Sequence, residues 1–133
     1  MESERIFRLL TGTASFLWSL LHLVVGYGAA SLAAHATGEA VLSFAIYSEY
    51  FGFNSALYIF AGYEILKGTR KLLPLIIFLF TINTGLLIES HVAPAPILGR
   101  TLPIIPEVFP ALVLDFVLLG GSILTWWKAN VRV

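Results

Sequence analysis

Cysteine is absent from this chain, which excludes disulfides, thiolate catalysis, iron–sulfur clusters and cysteine-type zinc sites together. Charge is scarce too: Asp, Glu, Lys and Arg make up 12% of the 133 residues, and eight basic side chains balance eight acidic ones. With no net field to attract nucleic acid, a nucleic-acid partner is excluded, and no Lys/Arg cluster marks an anionic-lipid patch beyond ordinary loop charge. The signatures of metal and nucleophilic chemistry are missing as well. There is no Glu-x-x-His or His-Glu-x-x-His spacing, no Gly-x-Ser-x-Gly elbow and no internal repeat. What fills the sequence is apolar: 58% of residues are hydrophobic and the mean hydropathy is +0.87, beyond what a soluble domain of this size tolerates.

Spanning a bilayer core takes ~20 apolar residues at ~1.5 Å each. The sequence predicts four such α-helices, near 9–30, 42–66, 72–89 and 107–127. The fold class expected is therefore all-α, an antiparallel up-down bundle forming a single domain over 1–133. The run from Leu9 to Ala34 exceeds the ~7–15 residues of a signal-peptide core, so an uncleaved first helix is the better reading. Gly68 is a helix stop, Thr69 a candidate N-cap for the third helix, and Pro74 and Pro110 fall in first turns where a missing N–H costs little. Between the third and fourth helices, residues 90–106 hold Pro94, Pro96, Pro103 and Pro106 among Ala, Ile and Leu. This stiff, apolar stretch is expected to lie over the bundle as a lid, or to serve as a passive interfacial connector.

Lys and Arg are retained in cytoplasmic loops. Arg5, Arg8, Lys67, Arg70, Lys71, Lys128 and Arg132 fall on one side of the predicted spans, with Arg100 alone on the other. Both termini are thus expected in the cytoplasm of a multi-pass cell-membrane protein, with Trp126 and Trp127 as an interfacial anchor.

Transmembrane helices associate through small residues and through polar groups that need partners. Four stripes meet that description: Ser15, Ser19, His22 and Gly26; Ser48, Gly52 and Ala56 beside Glu49; Thr81, Gly85 and Glu89 beside Thr84; and Ala111, Asp115 and Ser122. Turned inward, they would make one polar seam. Counting from Arg8 and Lys128 places His22 and Asp115 at nearly one level, ~9–10 Å below the outer edge of a ~30 Å core. Glu49 and Glu89 fall near the outer rim, with His91 above them.

A carboxylate at that depth costs at least ~2.5–3.5 kcal/mol on insertion scales and needs a reason. The cheapest partner for Asp115 is His22, donating a ring N–H or becoming imidazolium beside it. The alternative is that Asp115 only ties helices together through Thr or Asn83. The candidate pocket is His22, Asp115, Glu49, Glu89, His91 and Arg100. Glu49, between Tyr47 and Tyr50, also fits the headgroup belt, Glu64 a pair with Lys67, Glu107 a helix N-terminus, and Asn54 and Asn83 interhelical bridges. Imidazoles and carboxylates are suitable metal ligands, but without a recognisable spacing no metal site is assigned. Differing depths of His22 and His91 argue against a bis-histidine haem, and no cofactor is named.

These residues point to an outward-opening, semi-polar pocket for a small hydrophobic molecule such as a quinone, isoprenoid or lipid, or to proton handling. Either function fits a subunit of a larger membrane complex. Two rivals stand beside this reading: a structural accessory subunit without a site, and a small homo-oligomeric transporter using Asp115 or Glu49 as an intramembrane carboxylate. The layout is similar to that of small four-helix membrane families, DoxX-like proteins among them. That resemblance covers topology alone, and no functional residue is carried over.

Overall fold

A computed structural model describes residues 2–131, so Arg132 of the basic set lies outside the described residues. It consists of four helices: α1 (Glu2–His35), α2 (Glu39–Lys67), α3 (Leu73–Val92) and α4 (Val108–Asn130). Every helix was anticipated, but the ends differ. α1 begins seven residues before the apolar run because Glu2 and Glu4 sit in its first turn, where acidic side chains favour a helix N-terminus. α3 runs on past Glu89 to Val92 and stops at Ala93, the residue that Pro94 holds in an extended conformation. α2 ends at Gly68, whose φ of 85° lets its N–H reach back to the carbonyls of Glu64 and Ile65. Thr69 does not cap α3; its own N–H also turns back to Glu64 O at 3.0 Å.

Three helices, α1, α3 and α4, are long and apolar enough to cross a membrane. α2 has the length, 29 residues, but Glu49, Asn54 and its tyrosines dilute its hydropathy. Of the four spans expected from the sequence, three are therefore long and apolar enough.

α1 is the central element. It packs most extensively on α2 and next on α4, while α3 leans on α4; α2 and α3 hardly approach each other at the level of the backbone. The α1–α2 seam is built from serines. Ser15 Oγ donates to Tyr58 O at 2.6 Å, Ser19 Oγ to Ser55 O, Ser55 Oγ to Ser19 O at 3.2 Å, and Ser48 Oγ to Gly26 O at 3.1 Å. Close approach continues at Gly62, where an added Cβ would stand 3.0 Å from Gly12 O. At Gly121 it would stand 2.0 Å from Thr11 Oγ1, which locks α4 onto α1. The end of the bundle carrying the chain's N-terminal turn is tied by polar contacts: Arg70 Nη2 to Glu4 Oε1 at 3.4 Å, Arg8 Nη2 to Leu66 O at 3.4 Å, and Lys128 Nζ to Ser3 Oγ at 3.1 Å.

Two of the four predicted stripes face inward and two do not. Ser15, Ser19, His22 and Gly26 are all buried, as are Ala111, Asp115 and Ser122. On α2, however, Gly52 and Ala56 are exposed, and the buried face is instead Asn54, Ser55, Tyr58, Ala61 and Gly62. On α3, Thr81 and Gly85 are exposed, and Phe80, Asn83 and Thr84 take the inner face. The reason is size. The gap between α2 and α3 is bridged by long side chains, with the Tyr58 and Phe80 rings 4.8 Å apart, so small residues have no close partner there.

Candidate functional site

Where α2 and α3 diverge, the bundle leaves a partly open cavity of about 230 Å³. All four helices border it: Trp18 and His22 from α1; Tyr47, Tyr50 and Phe51 from α2; Asn83, Leu87, Ser90 and His91 from α3; and Asp115 from α4. Pro96, Ile97 and Leu102 of the connection before α4 complete the wall.

The floor is an aromatic stack. Trp18, 2% exposed, is sandwiched between His22 and Tyr58, with ring centroids 3.6 and 3.5 Å away and both planes inclined by 13°. Stacking of this kind adds about 0.5–1.5 kcal/mol per pair beyond area burial, so the imidazole is held in a fixed orientation. Trp18 also anchors the acid: its Nε1–H donates to Asp115 Oδ1 at 2.7 Å. Asp115, 1% exposed, thus receives its hydrogen bond from Trp18, and not from His22 as the sequence suggested. The indole is the better-placed donor because it lies one helical turn before His22 on the same face of α1. It comes between the two groups, so acid and imidazole meet through a shared aromatic neighbour. His22 Nδ1 turns instead to its own helix, 2.8 Å from Trp18 O.

The upper wall is polar on one side. Tyr50 Oη donates to Asn83 Oδ1 at 2.5 Å, which ties α2 to α3 across their gap, while Asn83 Nδ2 donates to Leu79 O. Asn83 therefore bridges helices as expected; Asn54 bonds only within α2, to Tyr50 O. Tyr47 Oη donates to Pro96 O at 2.6 Å and clips the connection to α2, while Leu102 N–H donates to Ser90 O at 2.8 Å and clips it to α3. Within the connection, Ala95 N–H reaches Arg100 O and Gly99 N–H reaches Ala95 O. This compact turn forces Ile97, a β-branched residue, to φ 71°. Such a conformation costs on the order of 1–3 kcal/mol and persists only when its surroundings impose it. The strained residue borders the cavity.

Of the six residues singled out in the sequence, His22, His91 and Asp115 border this cavity. Glu89, half-buried, lies beside Tyr47. Glu49 and Arg100 are exposed and outside the wall. Glu64 is buried, and the Lys67 ammonium sits over the Tyr63 ring, 5.6 Å from its centroid, so the expected helix-surface pair gives way to a cation–π contact. No three His, Asp or Glu side chains among the described residues converge closely enough to hold a metal ion. Trp18 was not foreseen, although its spacing from Ser15 and His22 put it on the seam; nor were the bonds of Tyr47 to Pro96 and of Tyr50 to Asn83.

Compared with known families, characterised proteins and solved structures, the chain matches none.

Proposed function

We propose that the chain is an integral membrane protein of the cell membrane, an antiparallel bundle with both termini in the cytoplasm. Its role is to bind a small hydrophobic molecule with a polar head in the cavity between α2 and α3. The lipid-facing character rests on the exposed surface: Leu17, Leu20, Val24, Leu75, Phe78, Val113 and Phe116 are each more than half exposed. Water would penalise that surface and lipid tails would not. α2, too polar to qualify by hydropathy, is carried through the bilayer by its serine seam with α1. The orientation is supported by Arg8, Arg70 and Lys128 meeting at the end opposite the cavity, where cytoplasmic cations belong.

One observation carries the binding role: the buried acid and the buried imidazole, Asp115 and His22, both border an aromatic-walled space and are not sealed in dry packing. Sites of this composition, mostly apolar with a few fixed polar groups, are what small-molecule pockets look like. At about 230 Å³ the space lies below the ~300–1,000 Å³ of drug-sized sites. It suits the head of an isoprenoid, quinone or lipid whose tail leaves between α2 and α3.

Gentle extraction followed by mass analysis of small molecules tests this. The wild-type protein should carry a discrete hydrophobic compound, and Leu87→Trp, which fills the cavity from α3, should reduce its occupancy about ten-fold or more. Equal content in both proteins would assign the bound material to the outer surface and favour a structural accessory role.

A further inference from the structure

Which head the cavity accepts is written in its hydrogen-bond inventory. Every polar side chain on its wall that can donate is already donating inside the protein. Trp18 gives its N–H to Asp115, Tyr47 its hydroxyl to Pro96 O, and Tyr50 its hydroxyl to Asn83. Asn83 gives its amide to Leu79 O and Ser90 its hydroxyl to Leu86 O.

The two imidazoles complete the pattern. His22 Nδ1 lies 2.8 Å from Trp18 O and His91 Nδ1 2.7 Å from Leu87 O. A carbonyl oxygen can only accept, so each Nδ1 carries a proton, and the ring in its neutral form is left with a bare lone pair on Nε2. Asp115 has one oxygen filled by Trp18; the other, when ionised, also accepts. Beyond the second amide hydrogen of Asn83, the unfilled side-chain capacity of the cavity with Asp115 ionised is therefore acceptor capacity, set among aromatic rings: Phe51 is 5.6 Å from His22, and Tyr50 is 5.4 Å from Phe51.

Resting on the binding role above, we infer that this site selects a ligand head that donates hydrogen bonds, namely an aromatic alcohol, over heads that only accept and over anions. A phenolic hydroxyl gives its proton to His22 Nε2 while its ring lies against Phe51. A ketone or ether in the same place leaves the imidazole lone pair dry and unmatched, and a carboxylate or phosphate set there meets acceptors on both His22 and Asp115.

A matched set of probes separates these cases without redox chemistry: para-propylphenol, its methyl ether para-propylanisole, and para-propylbenzoate, each titrated into the full chain in detergent micelles by calorimetry. The phenol is expected to bind about ten-fold more tightly than the ether, one charge-free hydrogen bond's worth, and the benzoate not to bind. His22→Phe keeps a stacking ring but removes Nε2. It should close the gap between phenol and ether, weakening the phenol while sparing the ether the unmatched lone pair, whereas a purely structural role for His22 would weaken both alike. Asp115→Asn keeps an acceptor for Trp18, offers the cavity an amide donor and should narrow the gap between phenol and ether. Equal or tighter binding of the ether to the wild type, or a His22→Phe variant that still prefers the phenol, would overturn the inference while leaving the binding role standing. Absence of binding by phenol and ether alike would overturn both.

Discussion

The two ends of this bundle are held together by different means. Toward the N-terminal turn of α1 the helices pack closely: Gly62 abuts the Gly12 carbonyl, Gly121 abuts the Thr11 side chain, and a void between Glu4, Arg8 and Gly68 is only about 10 Å³, no more than one water needs. Toward the α3–α4 connection, α2 and α3 are separated by rings, and a space of about 230 Å³ opens. Glycines at Gly28, Gly52 and Gly85 have nothing within 4 Å of where a Cβ would stand. Strain is distributed the same way, with Ile97, the non-glycine residue at positive φ among the described residues, beside the cavity. The closed end fixes the helices, and the open end is thereby free to hold a site.

Trp18 is where the two ends meet, stacked against Tyr58 and His22 and bonded to Asp115. Its removal is expected to have the largest effect. Trp18→Ala should lower stability by about 3–5 kcal/mol, through lost burial and a carboxylate left without its donor, read as a shift in the denaturant midpoint by circular dichroism. A loss below 1 kcal/mol would show that the stack does not join the ends.

Next in size is a test of the closed end. Gly121→Ala places a methyl against Thr11 and should cost about 1–3 kcal/mol. Weaker still is the clip at the open end. Tyr47→Phe removes the bond to Pro96 O and should cost about 0.5–1.5 kcal/mol. Hydrogen exchange should quicken across 93–102 while the helices keep their protection. Smallest, and opposite in sign, is Gly85→Ala on the open side of α3. It meets no neighbour and should stabilise by up to about 1 kcal/mol through helix propensity. If Gly121→Ala and Gly85→Ala behaved alike, the contrast between the ends would collapse.

How much of this was legible beforehand depended on which helix is considered. The four helices follow from apolar run length, and the inward faces of α1 and α4 follow from Ser15, Ser19, His22, Ala111 and Asp115, since buried polar groups in an apolar helix must find partners. The faces of α2 and α3 did not follow from the same rule. Small residues mark an interface only where backbones touch, and these two helices are held apart by Tyr50, Tyr58, Phe80 and Asn83. In the site, His22 and Asp115 were singled out from residue counts, and both border one cavity. That an indole would come between them was not readable, because residue counts fix depth but not which of several donors at that depth turns toward the acid. The proline-rich connection was marked by its composition, but its place on the cavity wall was not, because its attachment through Tyr47 to Pro96 O depends on a contact 49 residues apart in sequence.

The most direct test uses the absence of cysteine, which makes any introduced thiol unique. Ser90→Cys puts a thiol on the cavity wall and Thr69→Cys puts one in the turn between α2 and α3. Intact cells expressing each variant are treated with a membrane-impermeant maleimide, with and without para-propylphenol. The Ser90→Cys protein should label from outside and be protected by the phenol, and the Thr69→Cys protein should label only after the membrane is opened. Labelling of Thr69→Cys in intact cells, or reaction of Ser90→Cys at one rate with and without the phenol, would contradict a ligand cavity opening at the outer face.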